Sequence, residues 1–388
     1  MSNISRDEEY MYNWTHSNPQ RLTIPAHGSN VVTALLISHG RIISASDDRE
    51  MHVYSSTTGK LIHKLTGHEG GIWTLAVSPS LPDVLVSGAT DSTIRFWDLA
   101  TGKCTHIFGG HGETVRCLKI VTPSWIDING EKQKWPKRSL VVTGSRDHTL
   151  RVWKLPRGDS TDGTPSELLE PENNPNHIYE LKGHTDVVRD LAVYKNLAVS
   201  ASYDTTVKVW NLMTAECKWT LEGHTRKVYS VAIDQERNQV VSGSMDGTAR
   251  IWSLETGQTL YTLTGHLYLV NLTAVSASNI VTAASDATVR VWNPSTGALK
   301  HRLGAHTGAV TCFQHDERKI LTGSDGKLIM WDIKTGKVVK EMIKDITGVW
   351  QVAYEGDLCV AAASVEEMTY LEVWNFAEEA ESEGEIWK

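Results

Sequence analysis

The stretch HEGGIWTLAVSPSLPDVLVSGATDSTIRFWDLATGK, residues 68–103, decides the fold. It opens on His68 and crosses two apolar runs, Ile72–Val77 and Val84–Ala89. Asp91 follows a turn of small residues, and a third run, Ile94–Leu99, carries Trp97 into the turn 98–103. Short apolar runs that alternate and are bounded by Gly, Pro and Asp predict strands. A fourth strand is predicted at Lys103–Phe108. The same design recurs as SASDDREMHVY ending at Tyr54, TGSRDHTLRVW at Trp153, SASYDTTVKVW at Trp210 and SGSMDGTARIW at Trp252. It continues as TAASDATVRVW at Trp292, TGSDGKLIMW at Trp331 and MTYLEVW at Trp374. Histidines His27, His68, His111, His184, His224, His266 and His306 precede seven copies, mostly 40–43 residues apart. A His…Trp-Asp period of about 40–45 residues marks four-stranded blades stacked in a ring. The expected fold is all-β, an eight-bladed β-propeller.

The last blade has three strands between Val349 and Phe376 and then meets a run of glutamates that does not suit a buried strand. Its fourth strand is predicted at Arg21–Ile24, so the N-terminal strand completes the last blade and closes the ring without an open edge. The chain thus divides into an extension (1–20), the propeller (21–376) and an acidic tail (377–388). Two insertions break the period, both in blade 3. Residues 122–138 lengthen the loop between strands a and b, and residues 156–177 the connection between c and d. The second is rich in Pro, Asp and Glu and reads as mobile surface. Both insertions fall on the a–b/c–d face, leaving the d–a/b–c face clear.

Composition narrows the function. The 388 residues carry a net charge of −8, which disfavours a nucleic-acid or anionic-membrane binder. No apolar run approaches the roughly 18 residues of a membrane span. Five cysteines, an odd number at irregular spacing, argue against a disulfide framework and for the cytosol or nucleus. The recurring histidine, hydroxyl and aspartate, in blade 2 His68, Ser87 and Asp91, imitate a catalytic triad. A triad is needed once and this set recurs in nearly every blade, so it reads as a hydrogen-bond relay. No metal-ligand spacing and no phosphate-cradling Gly-rich loop is present, so neither a cofactor nor an enzyme is expected.

Function is then sought where blades differ. Five residues after each histidine, at the start of strand a, stand Val32, Trp73, Arg116, Arg189, Tyr229, Asn271 and Thr311, with Trp350 aligned in the last blade. Just before each repeated aspartate stand Asp47, Thr90, Arg146, Tyr203, Met245, Ser285 and Ser324. Arg116, Arg146 and Arg189 fall in the adjacent blades 3 and 4, flanked by Trp73 on one side and by Tyr203, Tyr229 and Met245 on the other. Clustered guanidinium groups call for an anion, and the planar fork of Arg matches phosphate oxygens. The aromatic wall suits apolar or Pro-containing residues beside a phosphate. The alternative is that these arginines pair with Glu113, Asp186 or Asp190.

At HEGGIW (68–73), ETVRCL (113–118), TGSRDHTLRVWKLP (143–156), VVRDL (187–191), SASYDTTVKVW (200–210), HTRKVYS (224–230) and SMDGT (244–248), the chain resembles one family. It is the WD40 half of the F-box/WD-repeat substrate receptors of SCF ubiquitin ligases, of the fungal cell-division-control type. The resemblance implies that Arg116, Arg146 and Arg189 grip the phosphate of a Thr-Pro degron. Trp73, Thr114, Tyr203, Tyr229 and Met245 would line the peptide groove, with Lys227 as a further basic residue. The implied partners are phosphorylated proteins. The adaptor Skp1 and the cullin would be reached only through an F-box, for which the first 26 residues are too short and polar. The chain therefore reads as a receptor fragment or a stand-alone paralogue. Ser92 stands where members often carry another arginine, and Gln351 where animal members carry one after the last-blade tryptophan. The competing reading is a WD40 scaffold whose rim arginines meet an acidic, unphosphorylated protein.

Overall fold

The computed structural model describes residues 6–128, 130–156 and 167–379. Eight antiparallel sheets follow one another around a ring, each with strands a to d from the centre outward. In blade 3 these are Val115–Val121, Leu140–Ser145, Leu150–Lys154 and His177–Leu181. In blade 4 they are Val188–Tyr194, Leu197–Ser202, Val207–Asn211 and Glu216–Leu221. Blade 8 takes Gly348–Glu355, Leu358–Val365 and Met368–Glu379 from one end of the chain and Pro19–Pro25 from the other. Leu22 pairs opposite Val373 in that closing sheet. The eight blades and the strand shared between the chain ends are those expected from the sequence.

Blades pack face to face, so strand b is covered on both sides. Leu140–Ser145 is buried throughout, which explains why such strands read as continuous apolar and small residues rather than alternating ones. The narrowing centre demands small side chains. A Cβ on Gly144 would lie 2.7 Å from Cγ1 of Val188 in the next blade and from Sγ of Cys117.

The histidine sets form internal relays. In blade 2 the Nδ1–H of His68 donates to Asp91 (2.8 Å), and Ser87 donates to its Nε2 (2.7 Å). The Trp97 indole donates to the same Ser87 oxygen (2.9 Å). Asp91 also accepts the backbone N–H of Glu69 (2.9 Å), tying the d–a loop to the b–c turn. Burial holds the His68 imidazole below its ordinary pKa and therefore neutral, while the histidine keeps the Asp91 carboxyl ionised far below the usual range despite burial. Blade 7 departs from this pattern. His306 faces Ser324 (2.6 Å) and Thr322 (2.7 Å), and burial, then the nearby Lys327 charge, push it down to about 4.

Two features lie outside what the sequence pattern suggested. Arg6–His16 form a helix that seats Trp14, fully buried, against Phe376 (ring centroids 4.1 Å apart) and edge-on to Tyr354 (5.6 Å). The buried Lys319 ammonium lies 4.3 Å from both the Trp14 and Tyr354 rings and 2.7 Å from Asp316. The acidic insertion of blade 3 does not stay on one face. Its Leu168–Leu169 pair in parallel with Ile107 and Phe108, adding a fifth strand to blade 2, and Gly109 donates to the Leu169 carbonyl (3.0 Å). The segment thus climbs the outside of blade 2 to the d–a loop. Leu169 packs there against the cluster around Phe96, Phe108 and Trp153 while Leu168 stays half exposed, and the surrounding acidic composition concealed both. The other insertion forms a hairpin, Ser124–Ile128 with Glu131–Trp135. Of the acidic tail, 380–388 lie outside the described residues; strand c of blade 8 continues to Glu379.

Candidate functional site

Each strand a opens with a β-bulge, and the bulge residue is the one that falls out of register with strand b. The register skips Thr33, Trp73, Arg116, Arg189, Tyr229, Asn271, Thr311 and Trp350 in blades 1 to 8. Bulges re-aim side chains in this way and recur at binding sites. Blade 1 corrects the sequence alignment. Its d–a turn is one residue longer, so the rim position is Thr33, whereas Val32 is a core residue only 1% exposed. Aligning Val32 with the equally apolar Ile72 would have found this.

The second ring of positions is fixed by backbone hydrogen bonds between the b–c turn and the residues before strand a. Arg146 N–H donates to Thr114 carbonyl (2.9 Å), Tyr203 to Val187 (3.0 Å) and Met245 to Lys227 (2.8 Å). These bonds hold Arg146 beside Arg116 within blade 3. Thr114 is itself buried and acts here through its carbonyl.

The side chains converge. The Arg116 guanidinium stacks 4.0 Å from the Trp73 ring, and that of Arg189 lies 5.8 Å from Tyr229. Tyr229 packs on Tyr203 with ring centroids 5.0 Å apart, and the Lys227 ammonium sits 4.3 Å from the Tyr203 ring. The structure thus joins all nine residues singled out in the sequence into one strip across blades 2 to 5. An opening of about 330 Å³ at the centre of the ring is bordered by Trp73, Arg116, Arg189 and, across it, Trp350 and Gln351.

The charges in this strip are poorly neutralised. Among the described residues no carboxylate lies within 4.0 Å of the guanidinium of Arg116 or Arg189. Burial, then the neighbouring Arg189 charge and more weakly that of Arg146, push Arg116 down to about 10. Asp190, a candidate partner in the sequence, instead accepts backbone N–H groups of Leu191 (2.8 Å) and of Val231 in the next blade (2.9 Å). Asp186 accepts that of Val187 (2.7 Å). Of the three candidate partners, Glu113 alone approaches one of these arginines, Arg146, at 4.0 Å with both side chains more than half exposed. Such a pair contributes little. The strip is a fixed positive site, with aromatic surface on both flanks.

The family model described as WD domain, G-beta repeat, matches residues 59–98, 102–154, 175–211, 215–253, 257–293 and 297–332. The chain belongs to the WD40-repeat family. The WD repeat-containing protein pop2 of Schizosaccharomyces pombe is 45% identical over 363 residues, covering 92% of this chain and 51% of that protein. Cell division control protein 4 of Candida albicans is 40% identical over 369 residues (93% and 54%), and its Saccharomyces cerevisiae namesake 35% over 398 residues (94% and 49%). The chain spans about half the length of these curated relatives. A crystal structure of the computationally designed Ika8 protein superposes with a TM-score of 0.72 at 27% identity, covering 91% of this chain and 98% of that one. The matches to the cell division control proteins bear out the resemblance to the F-box/WD-repeat family. The WD40 propeller is in general an interaction scaffold rather than a catalyst.

Proposed function

We propose that the d–a/b–c loop face captures peptides phosphorylated on Thr or Ser before Pro, and that the chain is the recognition module of an SCF-type ubiquitin ligase. The observation that carries the reading is the set of three guanidinium groups beside an aromatic wall, two of them without a carboxylate partner among the described residues. A phosphorylated hydroxyl brings about −1.5 to −2 charges and three acceptor oxygens. Each charge-assisted hydrogen bond contributes on the order of 1.5–3 kcal/mol, so three would separate phosphorylated from unmodified peptide by roughly a hundredfold or more. Trp73 on one flank and Tyr203, Tyr229 and Met245 on the other would take the proline and its apolar neighbours. The resemblance to the F-box/WD-repeat receptors, with cell division control proteins among the relatives, supports a role in delivering phosphorylated proteins for ubiquitination. Skp1 and the cullin would be engaged through an F-box of the whole receptor, in the nucleus or cytoplasm.

The test is fluorescence anisotropy of a labelled Thr-Pro peptide, with and without phosphate, against wild type and Arg146→Ala. Phosphate-dependent binding that weakens at least tenfold in the variant is expected. Equal affinity for both peptide forms, or indifference to the substitution, removes the reading.

A further inference from the structure

In six of the seven turns led by a repeated histidine, the next two residues are small, hydroxylated or charged, as in Glu69-Gly70, Thr185-Asp186 and Thr225-Arg226. In blade 6 they are Leu267 and Tyr268, 77% and 64% exposed. The turn itself is undisturbed. The Leu267 N–H donates to Asp286 at 3.0 Å, just as the Thr225 N–H donates to Asp246 at 3.0 Å. The fold therefore does not ask for these two apolar side chains, since polar ones serve the same geometry in the other blades.

Their position gives them a purpose. The b–c turn of blade 5 lies directly against this turn: a Cβ on Gly247 would sit 3.1 Å from the His266 carbonyl oxygen and 3.7 Å from that of Tyr268. Two residues before Gly247 is Met245, itself 42% exposed and part of the aromatic strip. The turn that carries exposed Met245, held to Lys227 beside Tyr203, thus abuts the turn that carries exposed Leu267 and Tyr268, two blades beyond Arg189. Contiguous exposed apolar surface rimmed by polar residues marks an interaction site, whereas a single exposed leucine does not.

We infer that Leu267 and Tyr268 form a second, apolar subsite for the same bound peptide, taking bulky hydrophobic residues remote from the phosphate. This rests on the phosphopeptide reading above. Faces of packed sheets are about 10 Å apart, so two blades correspond to about 20 Å. An extended chain at roughly 3.3–3.6 Å per residue covers that in about six residues. The ligand class is a phosphorylated segment with an aliphatic or aromatic pair about six residues from the phosphothreonine.

The probes are synthetic peptides of Gly, Ser and Asn around one phosphothreonine-Pro, either plain or with Leu-Phe placed six residues before or six residues after the phosphate. One Leu-Phe placement is expected to bind about tenfold more tightly than the plain peptide. The double substitution Leu267→Ser with Tyr268→Ser is expected to erase that gain and leave the plain peptide's affinity unchanged. Circular dichroism melting should match wild type, because both side chains are exposed. The inference is overturned if neither placement gains affinity, or if the gain survives the double substitution. It is also overturned if wild type self-associates at assay concentrations and the double variant does not, which would assign the turn to a second copy. Loss of phosphate dependence in the plain peptide would strike the arginine site instead, so the two failures are separable.

Discussion

The same bulge position is used in opposite ways on the two sides of the ring. In blades 6, 7 and 1 it ties its blade to the next, and in blade 8 the adjacent residue does so. Asn271 donates to the Val310 carbonyl of blade 7 (2.9 Å), and Thr311 to Val349 of blade 8. Gln351, next to the blade 8 bulge, donates to Thr33 of blade 1 (3.0 Å), and Thr33 donates to Ile72 of blade 2. In blades 2, 3 and 4 the position carries Trp73, Arg116 and Arg189, whose groups face one another and the loop face instead. The tied side contains blade 8, where the two chain ends meet in one sheet, Leu22 opposite Val373, and the inter-blade hydrogen bonds hold the neighbouring blades in place around that junction. The open side crowds cations, and burial together with their mutual repulsion lowers the Arg116 pKa, an arrangement that stores binding capacity for an anion at some expense in stability. A ring of equivalent blades can therefore divide closure and recognition between its two halves.

Acid should weaken the tied side through His306, as it should the other blades through their buried relay histidines. The unfolded state takes up a proton near the ordinary histidine pKa of 6.5, whereas folded His306 resists protonation down to about 4. Its contribution to stability is thus intact above pH 6.5 and lost progressively as pH falls through that window. Urea unfolding at pH 4.5 is expected to show a loss on the order of 2–3 kcal/mol from this residue relative to pH 7. Constant stability across that range would contradict a buried neutral imidazole. Next in size, Thr311→Val removes one inter-blade hydrogen bond while keeping the shape. A loss of about 1 kcal/mol in urea unfolding is expected, with phosphopeptide affinity unchanged within about twofold, so that stability and recognition separate. The smallest effect belongs to the open side. Glu113→Gln takes away the carboxylate beside Arg146, and because that pair is exposed the gain in phosphopeptide affinity should be about two- to threefold. Weaker binding in that variant would mean that Glu113 positions Arg146 rather than competing with the ligand.

Much of this was legible in the sequence because a repeat supplies its own control. The histidine relay and the blade-closing tryptophans stood out by recurring, and Arg116, Arg146 and Arg189 by failing to recur. What escaped detection had no repeat to compare with or broke it by one residue. Val32 was aligned where Thr33 belongs, because the longer turn after His27 shifts the bulge. Leu168–Leu169 looked like part of a polar insertion, since two residues carry no periodicity. Trp14 stands in a polar extension where nothing local signals burial; its pocket is assembled from Lys319, Tyr354 and Phe376, hundreds of residues later. Leu267 and Tyr268 show in the sequence as a departure in the turn after His266, outside both the bulge and the pre-aspartate positions.

By itself the sequence determined the blades, their number and the strand that closes them, because alternation, turn residues and the relay are local properties repeated at a fixed period. Only the tertiary structure decided which rim side chains bind a neighbouring blade and which remain available. That choice depends on which carbonyls and charges the closed ring brings within a few ångströms, a distance the order of residues along the chain does not encode.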